Sequence, residues 1–227
     1  MMEELIIISL GGSLMVPDEI DIGFLKNFRE MIIEEISNGK RFILITGGGK
    51  TARDYQTAAK GVVDLNENDL DWIGIHSTRL NAHLMKTIFC DIAHEEVIKN
   101  PTFKIEFKEK LLVAGGWKPG FSTDFDAVML AENFGAKTVI NLTNVDRVYD
   151  KDPSEHSDAK PIDEMSWKEF REIVGDEWSP GGNYPFDPVA SKKSEELGLK
   201  VLIMNGKNLP NLKNYLDGKE FVGTVIK

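Results

Sequence analysis

Three short apolar runs in this chain, and a fourth interrupted only by Asn141, each end in a turn built from glycine or asparagine. Leu5 to Ile8 runs into Gly11-Gly12, and Phe42 to Ile45 into Gly47-Gly48-Gly49. Leu111 to Ala114 runs into Gly115-Gly116, and Val139 to Leu142 into Thr143-Asn144. A run that is apolar at every position suits a strand buried on both faces, which is the habit of parallel sheets. Between the runs the apolar spacing becomes helical. Ile22, Leu25, Phe28, Ile32, Ile33 and Ile36 mark a helix over about 20–38, with Gly39 at its end. A short helix is expected over 51–60. A long amphipathic one is expected over 69–90, with Leu70, Ile73, Leu80, Leu84 and Ile88 among its apolar positions. Thr123 is the expected N-cap of a helix that runs to Phe134 and ends at Gly135. Further helices are expected over 166–174, 187–197 and 208–217, with strands at Val201 to Met204 and Phe221 to Ile226. The polar stretch 146–165 reads as a hairpin or surface excursion.

The alternation of strands and helices predicts an α/β fold with a largely parallel sheet. Ligands of such sheets bind beyond the carboxyl ends of the strands, so the four turns should share one edge. With 227 residues the chain is one large domain or two small ones. No clean linker interrupts it, though its character changes near residue 135, as if two lobes shared one sheet.

Charge narrows the partners. Lys and Arg number 27 against 37 Asp and Glu, a net charge of −10. No basic face for nucleic acid or an anionic membrane is expected from that balance. A small anionic ligand held by local donors stays open. The single cysteine, Cys90, excludes an intrachain disulfide and a cysteine-based zinc site, and fits a reducing compartment. The start Met1-Met2-Glu3-Glu4 is acidic, and no apolar run approaches the ~20 residues of a membrane span. A cytoplasmic location is expected.

The turns carry the candidate chemistry. Gly11-Gly12-Ser13 can bring bare backbone amides to a phosphate, or can simply turn the chain tightly. Gly47-Gly48-Gly49-Lys50 lacks the spacing of a Walker A loop. It still puts amides, a helix N-terminus, Lys50 and Arg53 within one turn of each other, which suits an anion. A flexible turn with solvated cations is the plainer alternative. Asp71 can accept from ribose hydroxyls or can complement a helix dipole. In Gly115-Gly116-Trp117-Lys118-Pro119-Gly120-Phe121-Ser122-Thr123, the hydroxyl pair enters a helix and can meet phosphate. Trp117 and Phe121 can flank a base or pack on the core. Tyr149 can lie against an adenine ring. Asp187-Pro188 opens a helix on which Lys192 follows, and capping alone explains the first two.

Taken in order, these motifs resemble the amino-acid kinase superfamily, and within it the UMP kinases of archaeal type. The resemblance rests on Ser9-Leu10-Gly11-Gly12-Ser13, Gly47-Gly48-Gly49-Lys50 with Ala52-Arg53, and Asp71-Trp72-Ile73-Gly74-Ile75 leading to Thr78-Arg79-Leu80-Asn81-Ala82. It continues through Pro119-Gly120-Phe121-Ser122-Thr123-Asp124, Thr143-Asn144-Val145-Asp146 with Tyr149 and Asp152-Pro153, and Asp187-Pro188 with Lys192. It covers essentially the whole chain. It implies a three-layer αβα sandwich around a central, mainly parallel sheet of about eight strands. It implies a single kinase domain over 1–227, with an acceptor half over about 1–135 and an ATP half over about 136–227. It also implies transfer of the ATP γ-phosphoryl group to UMP with Mg²⁺, usually by a homohexamer.

Carried over residue by residue, the resemblance gives Gly48, Asp71, Trp117, Lys118, Pro119, Gly120, Phe121, Ser122 and Thr123 to UMP. It gives Gly11, Gly12, Ser13, Gly49, Arg53, Thr143, Asn144, Tyr149 and Asp152 to ATP. Lys192 and Asp187 fall near the transferred phosphate. No side-chain metal ligands are expected, the nucleotide phosphates holding most of the Mg²⁺. The chemistry suits such a set, because phosphoryl transfer asks mainly for positioning and charge neutralisation.

The chain departs from the family at five places. Ser9 stands where many members carry a Lys, and Lys50 is expected to supply the missing cation. Arg147 replaces a usual Gly, Trp117-Lys118 a usual Thr-His, and Asp126 a small or apolar residue. Residues 179–186 differ from the usual small-residue loop. These departures leave two alternatives: the same fold with another small phosphate or carboxylate acceptor, or a non-catalytic nucleotide- or oxyanion-binding protein.

Overall fold

The computed structural model describes residues 4–151, 153, 155–175, 177 and 184–227. Its sheet is laid down by the apolar runs. β1 (Glu4–Leu10) lies between β2 (Lys40–Thr46) and β4 (Thr138–Thr143), and β3 (Leu111–Ala114) and β8 (Lys200–Asn205) flank these, all in parallel. The register aligns Ile7 with Ile43 on one side and with Val139 on the other. β9 (Thr224–Ile226) pairs antiparallel with β8, and β7 (Glu164–Met165) pairs parallel with β9. Among the described residues the central sheet thus has seven strands, ordered β3-β2-β1-β4-β8-β9-β7. The resemblance implied about eight. β5 (Val148–Tyr149) and β6 (Pro161–Ile162) instead pair with each other as a separate antiparallel ribbon, the hairpin expected in the polar stretch.

Both faces of the sheet are covered. Ile6, Ile8 and Leu10 pack with α1 (Gly12–Met15), α2 (Ile22–Ser37), α4 (Glu67–Ile88) and α8 (Leu209–Leu216). Ile7 points the other way and joins Ile43, Ile45 and Leu112 against α5 (Thr123–Phe134), α6 (Trp167–Val174) and α7 (Pro188–Leu197). Successive residues of a strand alternate faces, so a continuous apolar run serves two cores at once. Each fully buried isoleucine contributes ~1.5–3 kcal/mol of transfer free energy. The result is the expected three-layer α/β/α sandwich. α3 (Gly49–Lys60) buries none of its side chains and packs along α4 at one border.

The helix ends follow local chemistry. Asp21 caps α2 by accepting from Phe24 N–H at 2.8 Å, and Gly39 follows the helix with φ +91°. Ser166 and Glu169 form a capping box on α6, and Asp187 caps α7 with Pro188 in its first turn. α5 ends at left-handed Gly135, as expected, but Ser122 rather than Thr123 is its N-cap. The Ser122 hydroxyl accepts from Phe125 N–H, three residues on, and Thr123 already belongs to the helix.

Two expected apolar positions face outward. Ile22 is 76% exposed and Leu80 61%. The buried stripe of α4 instead runs through Ile75, Ser77, Thr78, Asn81, Ala82 and Met85. Of its polar members, Thr78 and Asn81 serve the glycine turns, as described next, and the Ser77 hydroxyl donates to the Ile73 carbonyl within the helix. The chain's four-residue α1, between the first turn and Val16, was not foreseen.

Candidate active site

The turns after β3, β2, β1 and β4 stand side by side, because these strands are neighbours and parallel. The turns after β1 and β2 touch. A Cβ on Gly12 would lie 2.1 Å from the Gly49 nitrogen, and one on Gly49 would lie 2.4 Å from the Gly12 oxygen. Gly49 also has φ +61°, in the left-handed region. Only glycine at both positions lets the two backbones meet.

The polar stripe of α4 holds these turns from below. Asn81 Nδ2 donates to the carbonyls of Gly47 and Gly48 at 2.8 and 3.2 Å. Thr46 Oγ1 donates to the Thr78 carbonyl at 2.9 Å, and Gly116 N–H donates to Thr78 Oγ1 at 2.7 Å. Arg79 Nε donates to the Gly116 carbonyl at 3.0 Å and Nη2 to the Trp117 carbonyl at 2.6 Å. The motif Thr78-Arg79-Leu80-Asn81 drew notice in the sequence, but its role as the fixture beneath the turns did not. The signal was there, three polar groups on one turn of an otherwise amphipathic helix.

A pocket of about 190 Å³ opens beside the β2 and β3 turns. Gly48, Gly49, Asp71, Phe121, Ser122 and Thr123 line it. Asp71 Oδ2 accepts from Gly120 N–H at 2.9 Å. Trp117, Lys118, Pro119 and Gly120 form the loop above and do not line the pocket. Of the two alternatives for Trp117 and Phe121, flanking a base or packing, the rings here are packed on one another. Their ring centroids are 5.1 Å apart, and Phe125 lies 4.8 Å from Phe121 on the other side. A base between the two rings would need roughly 7 Å, two contact distances of ~3.5 Å. Lys118 Nζ instead sits 4.1 Å from the Trp117 ring centroid.

A larger cleft, about 700 Å³, lies beyond β4. Thr143, Asn144 and Tyr149 line it, together with Arg147, Asp150 and Lys151. Asp152, expected here, lies outside the described residues, as do 179–183 of the variant loop. The β1 turn falls between the two spaces in strand order, and Gly11, Gly12 and Ser13 line neither. Arg53 Nη1 reaches Ser13 Oγ at 3.4 Å. Lys50 is paired with Asp54 one helical turn on, at 2.7 Å, and Lys192 is exposed on α7. Neither lysine lines either of these two spaces.

Beneath the β1 turn lies a carboxylate cluster. Where the family carries a Lys, the Ser9 hydroxyl donates to Asp124 Oδ1 at 3.1 Å. Asp124 Oδ2 accepts from Asp187 N–H at 3.3 Å, and Asp187 Oδ1 from Ala190 N–H at 2.8 Å. Burial, and then repulsion from Asp187, push Asp124 up to about 7. Burial likewise pushes Asp126 up to about 7, with Asp124 and Asp187 adding to the rise while Trp117 N–H and Arg79 oppose it. Asp124 closed the recognised Ser-Thr-Asp motif yet had no role assigned to it. Among the described residues no group of three or more His, Cys, Asp or Glu could hold a metal ion. Both Asp124 oxygens are already engaged, by the Ser9 hydroxyl and Asp187 N–H, and Asp187 Oδ1 by Ala190 N–H, so a Mg²⁺ on a nucleotide would keep mainly phosphate and water oxygens. Nor is any helix among the described residues long and apolar enough to cross a membrane.

The chain is similar to known proteins over its whole length. Residues 4–205 match the amino acid kinase family. A uridylate kinase of Thermoplasma volcanium is 36% identical over 230 residues, covering 100% of this chain and 99% of its own. One from Thermococcus kodakarensis is 35% identical, covering 98% and 99%. The crystal structure of uridylate kinase from Archaeoglobus fulgidus superimposes with a TM-score of 0.83 at 33% identity, covering 98% and 99%. That of UMP kinase from Bacillus anthracis, at 18% identity and a TM-score of 0.79, shares the fold.

Proposed function

Since the chain belongs to the amino acid kinase family, we propose that it transfers the γ-phosphoryl group of ATP to UMP, giving UDP. The observation that carries this reading is the similarity, over the full length of both chains, to proteins named uridylate kinase. Neither another acceptor nor a non-catalytic role is favoured by these relatives.

The reading assigns the smaller pocket to UMP and the larger cleft to ATP. Asp71, with one oxygen held by Gly120, offers the other to ribose hydroxyls. Ser122 and Thr123 meet the acceptor phosphate at the start of α5, where amides point outward. Gly48 and Phe121 complete that pocket, and Trp117, Lys118, Pro119 and Gly120 roof it. Tyr149 lies against adenine, with Thr143, Asn144 and Asp152 around the nucleotide. Gly11, Gly12, Ser13, Gly49 and Arg53 belong where the two phosphate chains meet. Lys50 and Lys192 bring charge to the transferred group, and Asp187 orders the start of α7. The attacking group is the phosphate oxygen of UMP, ionised near pH 7, so no strong general base is needed. Mg²⁺ on the nucleotide phosphates would supply charge neutralisation when bound.

The same reading makes 1–227 one kinase domain, with the acceptor half over about 1–135 and the ATP half over about 136–227. It places the activity in pyrimidine nucleotide biosynthesis in the cytoplasm. It also makes the assembly a homohexamer, supported by the exposure of Tyr55, Val62 and Leu80 on and beside α3 and α4. The test is product formation from ATP, Mg²⁺ and each of UMP, CMP, AMP and GMP. Selective use of UMP is expected, and equal use of all four would defeat the assignment.

A further inference from the structure

One peptide group of the acceptor loop is gripped at both ends by opposite charges. The Gly116 carbonyl accepts from Arg79 Nε at 3.0 Å. The N–H of the same peptide, on Trp117, donates to Asp126 Oδ2 at 2.9 Å. Arg79 comes from α4 and Asp126 from the first turn of α5, so the peptide bridges a guanidinium and a carboxylate that are not themselves paired. Asp126 is fully buried, and its Oδ1 has no hydrogen-bond partner. A carboxylate held this way destabilises the fold, since a buried charge with an unmet oxygen carries a desolvation penalty. What it gives in exchange is a charge-assisted hydrogen bond to a single loop amide. That amide belongs to the loop above the smaller pocket, where Gly116 and Phe121 both line the wall.

We propose that Asp126, acting with Arg79 through the Gly116–Trp117 peptide, is a positioning residue that sets the acceptor loop and so governs affinity for the acceptor nucleotide rather than for ATP. This rests on the assignment of the smaller pocket to UMP. Asp126 touches no nucleotide in this scheme and acts through Trp117. The charged groups facing it are Arg79 from α4, Asp124 from its own helix and Asp187 from the start of α7. Burial above all, opposed by Trp117 N–H and Arg79 and aided by Asp124 and Asp187, brings its proton off near neutral pH, so the clamp is tightest on the alkaline side of 7.

The test compares Asp126→Asn and Asp126→Ala with the parent chain in steady-state kinetics at pH 6, 7 and 8. Asp126→Ala should raise the KM for UMP about tenfold, the loss expected for a charge-assisted hydrogen bond. The KM for ATP should stay within twofold. Asp126→Asn keeps an acceptor for Trp117 N–H and should restore most of the loss. In the parent chain the ratio of its KM for UMP to that of Asp126→Asn should fall from pH 6 to pH 8, because only the parent gains a charge there. Taking the ratio cancels the titration of the UMP phosphate itself. A KM for UMP unmoved in Asp126→Ala, or an equal rise for both substrates, would overturn the clamp while leaving the acceptor assignment intact. Failure of the parent chain to phosphorylate UMP would overturn both, and UMP-selective turnover with a flat KM ratio would overturn the role of the charge.

Discussion

Asp126 shows how far a single side chain can set fold and function against each other. A carboxyl group raised from 3.8 to about 7 keeps its proton in the folded chain after the unfolded chain has lost it. Stability therefore falls as pH rises through that window, and the cost is complete above 7. It is on the order of 4 kcal/mol for a shift of this size. Asp126→Asn should accordingly be more stable than the parent in urea melts at pH 8, with the difference shrinking toward zero by pH 4. A stabilisation that is equal at both pH values would contradict the titration. Lys50 poses the opposite case. Its exposed pair with Asp54 is worth only a few tenths of a kcal/mol, so the side chain is free to leave it for a phosphate. Lys50→Ala should lose at least tenfold in turnover, the order of one charged contact to a transferring phosphoryl group, with an unchanged melting temperature. Undiminished turnover would remove Lys50 from the transfer step.

At the scale of elements, the contact between the β1 and β2 turns is the least forgiving. Gly12→Ala would push a Cβ to 2.1 Å from the Gly49 nitrogen, backbone against backbone. It should destabilise the chain by ~3 kcal/mol or more, as overpacking at a rigid contact does, and abolish turnover. A thermal melt within 2 °C or so of the parent would show that the turns can part. These elements were also the easiest to read in the sequence. β1 to β3 announce themselves through runs that are apolar on both faces, and in β4 only Asn141 interrupts the run from Val139 to Leu142. α1 did not, because four residues show no periodicity. α4 was legible as a helix, with Leu84 and Ile88 packed on the core, but Leu80 faces outward. The helix's inward Thr78 and Asn81 look like surface residues until the turns they hold are in view, and the Ser77 hydroxyl is satisfied by the Ile73 carbonyl of the same helix. β7, two residues long, is too short to register, whereas the closing strand was legible but spans only Thr224–Ile226 of the expected Phe221 to Ile226. Of the site, the glycine turns and Asp71 were legible as local sequence. The Ser9–Asp124 contact spans 115 positions and the Trp117–Asp126 bond depends on how a loop folds back. Neither leaves a trace in spacing.

For the whole molecule, a net charge of −10 must coexist with two anionic nucleotides. The overall field opposes their approach, so attraction has to be local. Arg53, Lys50 and a nucleotide-borne cation are the means available at the β1 and β2 turns. Turnover should collapse in excess chelator and return with added Mg²⁺; activity that survives chelation would contradict this. The acceptor loop has a wider consequence. Gly115, Gly116, Trp117 and Gly120 are all tethered through main-chain atoms, to Ile98, Thr78, Arg79, Asp126 and Asp71. A segment fastened this way keeps its path whatever side chains it displays. The acceptor-side residues at 117–118 can then change without disturbing the strand edge beneath, since the loop's course is fixed by its backbone.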